Sequence, residues 1–136
     1  DEAYIDMGDF AGGLLKYLRK NPVERVTITG GFGKISKLAN GAMDLHSKRS
    51  TVDLEFLGKL LESLGGKKEF VQSCLAAASA NEVLEMAQKA QLDLGRKVAS
   101  QAAAKARAIL KNDNILLDIL IIDRKGRIIG HSGENY

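Results

Sequence analysis

The chain is poor in aromatic residues, has a single cysteine and has no tryptophan. Aromatics make up only 5% of its 136 residues, which argues against a carbohydrate platform or a base-stacking single-strand binder. Cys74 alone has no partner for an internal disulfide, and no Cys/His cluster has the spacing of a structural zinc site, so no bound metal is expected. No apolar run approaches the roughly 20 residues needed to cross a bilayer. The first residues, from Asp1, read as ordered structure rather than as a signal peptide, and a cytoplasmic location is expected. What remains is ordinary: 45% hydrophobic, 27% charged, and 20 Lys and Arg against 17 acids for a net charge of +3. Residues 1–136 are therefore expected to form a single soluble domain around one core.

Patterning gives that domain an α/β character. Ala3–Met7 reads as a short strand, and Asp9 stands where an N-cap would precede a helix carrying Phe10, Leu14, Leu15 and Leu18. Asn21-Pro22 stops that helix, and the β-branched run Val26–Thr29 reads as a buried strand. Strand, helix and strand within about 30 residues predict a parallel βαβ unit. Helices are expected over 34–39, from a Ser50 cap through 64 with Asp53 as a first-turn carboxylate and Leu54, Leu57, Leu60, Leu61 and Leu64 on one face, and over 68–78. A further helix over 82–91 is capped by Ser79 or Asn81, and the longest covers 95–111. In the third of these, Cys74 shares an apolar face with Phe70, Val71 and Leu75, a core position. Ile115–Ile122 reads as a central strand, Asp123–Gly126 as a turn and Arg127–Gly130 as its returning partner. The expected architecture is a Rossmann-like layered domain with a parallel βαβ start, a mainly helical middle and a C-terminal β-hairpin.

The most informative stretch runs from Gly30 to Arg49. Gly30-Gly31-Phe32-Gly33 links a strand to a helix start, where free amides and the helix dipole favour an anion and glycine allows close backbone approach. It is neither a P-loop, since Ile35 follows Lys34, nor a full dinucleotide fingerprint, since Ser36 takes the place of the third glycine. By itself such a turn is most often only a turn. The neighbouring charges add to it: Lys34, Lys37, His46, Lys48 and Arg49 share sixteen residues with one acid, Asp44. Lys34 and Lys37 are three apart and project from one side of a helix. Clustered cations there suit a ligand with several carboxylates or phosphates. His46 is suited to packing in a loop, and its near-neutral pKa also suits proton transfer.

Gly8-Asp9-Phe10, Thr29 to Lys34, Lys37-Leu38-Ala39 with Gly41, and His46-Ser47-Lys48 together resemble the signature of the CbiD family, and the likeness runs through the whole chain. Members of that family are considerably longer, so the chain resembles the C-terminal part of a two-domain enzyme. The resemblance implies methyl transfer from S-adenosylmethionine to carbon 1 of cobalt-precorrin-5B, giving cobalt-precorrin-6A in anaerobic cobalamin biosynthesis. Its substrate is a polycarboxylate cobalt-corrinoid. On this reading Gly30, Gly31 and Gly33 let the backbone approach the donor or a carboxylate arm, and Lys34, Lys37 and Lys48 pair with substrate carboxylates. His46 hydrogen-bonds the substrate or takes a proton, and Asp9 binds a ribose hydroxyl or amino group of the donor, unless it only caps its helix. A methyl sulfonium is already a strong electrophile, so no nucleophilic side chain is required. A competing reading is a non-enzymatic nucleotide- or RNA-binding module using the same loop. Scarce aromatics and a charge nearly balanced outside one segment argue against it. A third is an oligomerisation domain built on the Ala-rich helix from Lys97 to Ala108, and a homo-oligomer is accordingly possible. Neither nucleic acid nor membrane is an expected partner.

Overall fold

Short apolar runs, buried most continuously along β2, build the sheet. The computed structural model describes residues 2–6, 11–41 and 53–133. In chain order these form β1 (Glu2–Asp6), α1 (Ala11–Lys20), β2 (Arg25–Gly30), α2 (Phe32–Ala39), α3 (Leu54–Ser63), α4 (Lys68–Leu75), α5 (Ala80–Lys89), α6 (Leu94–Leu110), β3 (Leu116–Ile122) and β4 (Ile128–His131). The sheet order is β1-β2-β3-β4; the first three strands are parallel, and β4 returns antiparallel to β3. This is the α/β class expected, with its βαβ start, helical middle and closing hairpin.

β2 is central, and Val26, Thr27 and Ile28 are all buried, as a strand flanked on both sides requires. Ile5, Ile28 and Ile119 stand in register on one face and are all buried. On the opposite face Tyr4, Thr27 and Asp118 share a row, and Tyr4 is 72% exposed. Asp118 is partnered there by Arg25, Nε to Oδ2 at 3.2 Å, which agrees with a structural role.

α6 is the spine of the helical layer. Val98, Ala99, Ala102, Ala106 and Leu110 are buried against α1, α2, β3 and β4. Small side chains let these elements approach closely, so the alanine face is filled by the chain's own core and is not free for a partner. Arg19 of α1 donates to the carbonyl of Ile109 on α6, Nε at 3.2 Å, and ties the two helices together. At the other end of α6 the backbone of Gly95 lies against that of Gly130 in β4, with no room for a Cβ on either. Cys74 is in the core, as its helical face predicts.

Several helix starts differ from the sequence expectation. α3 is capped by Asp53, whose carboxylate accepts from the amides of Glu55 and Phe56, while Ser50 lies outside the described residues. α2 begins at Phe32 rather than Lys34, because burying Phe32 and Ile35 on one face winds the helix through Gly33. α5 starts at Ala80, two residues before the expected Glu82, and of the two offered caps it uses Ser79, whose hydroxyl accepts from the Glu82 amide at 3.2 Å. Among the described residues no helix is long and apolar enough to cross a membrane.

Candidate functional site

The site begins where β2 hands the chain to α2. Gly31, the N-cap of α2, is extended at φ −73° and ψ 166° and offers no side chain to the first amides of the helix. A Cβ built there meets nothing within 4 Å, and its φ is one that any residue adopts. Neither packing nor backbone strain requires glycine at this point; it keeps open the space in front of the helix start. Phe32 turns inward to the core, whereas Lys34 and Lys37, three residues apart, line the open side. Partial burial, and secondly the charge of Lys34, hold the Lys37 amine below its ordinary value of 10.5.

That space is a cavity of about 770 Å³ at the carboxyl ends of β2 and β3, where open α/β sheets receive ligands. Gly31, Gly33, Lys34 and Lys37 make one bank. The β3–β4 turn makes the other, through Arg124, Lys125 and Arg127. Asn81, Glu85 and Gln88 of α5 close a third side, and Phe32, Leu84, Ile122 and Ile129 supply an apolar floor. Asp123 organises the turn. Its carboxylate accepts from the amides of Lys125 at 2.8 Å and Arg127 at 2.9 Å, and pairs with the Arg127 Nε at 2.7 Å. The Arg127 amide is the largest influence holding this carboxyl below 3.8. Gly126, at φ 79°, supplies the left-handed residue that the turn needs. The arrangement can hold a ligand that joins an apolar body to several anionic groups.

Four of the residues singled out in the sequence thus come together: Gly31, Gly33, Lys34 and Lys37 line the cavity, and Gly30, buried at the end of β2, immediately precedes it. Asp9, His46 and Lys48 lie outside the described residues. Sequence reasoning gave no binding role to the β3–β4 turn or to α5. The available signal was the run Arg124-Lys125-Gly126-Arg127, cations at the carboxyl end of a parallel strand.

Comparison with known proteins agrees with the resemblance. The family model described as "CbiD, C-terminal domain" matches residues 44–133, 90 of the chain's 136 residues. A protein of Paramagnetospirillum magneticum named cobalt-precorrin-5B C(1)-methyltransferase is 54% identical over 130 residues, covering 96% of this chain and 36% of that relative. One of the same name from Rhodospirillum rubrum is 50% identical over 132 residues, covering 97% of this chain and 37% of the relative. A third, from Methylorubrum extorquens, is 48% identical over 129 residues, covering 95% and 36%. The chain thus spans little more than a third of the length of the curated relatives it matches. No solved structure matches it significantly. With two thirds of its length matched by the family model, the chain belongs to the CbiD family.

Proposed function

We propose that this chain serves the reaction for which its curated relatives are named: methylation of carbon 1 of cobalt-precorrin-5B, giving cobalt-precorrin-6A in anaerobic cobalamin biosynthesis. On this reading residues 1–136 are one α/β domain, the C-terminal part of a longer two-domain enzyme. The observation that carries the proposal is the cavity at the strand ends, apolar below and cationic on two banks, in front of a glycine that packing does not demand.

S-adenosylmethionine supplies the methyl group as an electrophilic sulfonium, and the protein's work is then to bind, align and exclude water. Lys34, Lys37 and Lys48 hold carboxylate arms of the macrocycle by charge-assisted hydrogen bonds. Gly30, Gly31 and Gly33 let the main chain come close to a ligand, whether donor or carboxylate arm. His46 hydrogen-bonds the substrate or takes a proton, and Asp9 binds a ribose hydroxyl or the amino group of the donor. The test is a chimera in which this chain replaces the matching third of the Paramagnetospirillum magneticum relative, supplied with S-adenosylmethionine and cobalt-precorrin-5B. Methylated product is expected. A chimera that unfolds at the same temperature as the intact relative and forms no product contradicts the proposal.

A further inference from the structure

We propose that the cavity at the strand ends seats the carboxylate arms of the macrocyclic substrate rather than the methyl donor, and that Arg124 and Lys125 of the β3–β4 turn are its second cationic wall. This rests on the methyl-transfer reading and decides which of the two ligands the glycine turn serves.

Charge is the first ground. Five cationic side chains line the cavity, Lys34, Lys37, Arg124, Lys125 and Arg127, against two acids, Glu85 and Asp123. Asp123 and Arg127 are engaged with each other, and both main-chain bonds of that carboxylate lie inside the turn. Lys37, Arg124 and Lys125 therefore face the cavity with Glu85 as the acid left to oppose them. S-adenosylmethionine carries a sulfonium and an ammonium against a single carboxylate, so it is a net cation and finds like charge here. A macrocycle with several carboxylates finds the opposite. Lys37 supports the same choice: burial is the main cause that holds its pKa down, and the lesser one, repulsion from Lys34, is relieved by an anion bound between the two amines.

Shape is the second ground. The lining sets Ile122 and Ile129, with the edges of Phe32 and Leu84, among the cations, a mixture that suits a ligand joining an apolar ring to carboxylate arms better than one that is polar throughout. The two banks come from distant parts of the chain, brought together by the parallel pairing of β2 with β3. Each bank thus meets a different edge of one ligand. Gly31 leaves the space between them unfilled.

The experiment is a titration of the chain with uroporphyrin I, a tetrapyrrole with a carboxylate on every arm, followed by porphyrin absorbance, beside calorimetric titration with S-adenosylmethionine. Saturable porphyrin binding that weakens with salt is expected. Arg124→Glu and Lys125→Glu should each weaken it about tenfold, and Lys105→Glu, on exposed α6 surface away from the cavity, should not. Gly31→Ala should weaken binding while leaving the unfolding midpoint unchanged. S-adenosylmethionine bound to this chain and displaced by the porphyrin overturns the inference and leaves the methyl-transfer reading standing. No saturable porphyrin binding, or equal loss with Lys105→Glu, also overturns it. Porphyrin binding with the expected charge dependence, beside a folded chimera that forms no product, sinks the methyl-transfer reading alone.

Discussion

The crossing of α6 and β4 holds the hairpin wall of the cavity in place, and it can be loosened by one methyl group. A Cβ at Gly95 would stand 2.7 Å from the Ile129 carbonyl oxygen, and one at Gly130 would stand 2.9 Å from the carbonyl carbon and oxygen of Gly95. Ordinary contact begins near 3.4 Å, so Gly95→Ala requires the two backbones to part by about 0.7 Å. Both clashing partners are main chain, and no rotamer change relieves them. Overpacking of this kind costs about 1–3 kcal/mol, a large share of the roughly 5–15 kcal/mol that hold a domain folded. Urea and thermal unfolding followed by circular dichroism should show Gly95→Ala and Gly130→Ala each lowering the midpoint by several degrees. Gly31→Ala is the control, since its Cβ meets nothing and its backbone is unstrained. If all three variants unfold together, the close-approach argument is wrong, and with it the reason for the position of the hairpin.

Further outcomes follow from individual side chains. Cys74 is 1% exposed, and burial pushes its thiol pKa up, so the native protein should resist thiol reagents until denaturant is added; rapid labelling of native protein would refute this. The Asp123 carboxyl is held below 3.8, chiefly by the Arg127 amide, so its contribution to the turn is present above 3.8 and lost as pH falls through the lower folded value. The amide resonances of Lys125 and Arg127 should therefore titrate with a midpoint below 3.8, and a midpoint at or above it contradicts the turn geometry. Arg25→Met should destabilise the sheet by about 1 kcal/mol, because it strands the nearly buried Asp118 carboxylate, yet the pair is half-exposed on the arginine side. In a double-mutant cycle with Asp118→Asn the urea midpoints should be non-additive, and strict additivity would mean that the pair is not coupled.

Local signals carried much of the architecture. Val26–Thr29 announced a buried strand because β-branched residues filled every position, whereas Ser79 and Asn81 both offered a cap for α5 and the structure uses Ser79, starting the helix at Ala80. Ser50 misled for the same reason: it and Asp53 both offer an acceptor, and only the burial of Leu57, Leu60 and Leu61 fixes the register that starts α3 at Leu54. Gly33 misled as well. A glycine three residues after a strand reads as turn, but Phe32 and Ile35 bury one face together and draw Gly33 into α2. The alanines of α6 marked a close-packing face without naming what packs there; the structure answers with α1, α2 and the sheet. Half of the cavity was legible, because Gly31, Gly33, Lys34 and Lys37 are neighbours in sequence. The wall of Arg124 and Lys125 was not, since about 90 residues separate it from Lys34 and only the β2–β3 pairing closes that gap.

The most direct test of the account is a map of amide chemical-shift changes as the isotopically labelled chain is titrated with uroporphyrin I. The account predicts changes concentrated at residues 31–37 and 122–129, on both banks of one cavity. Changes centred on the opposite face of the sheet around Tyr4 and Leu116, or confined to one bank, would contradict it.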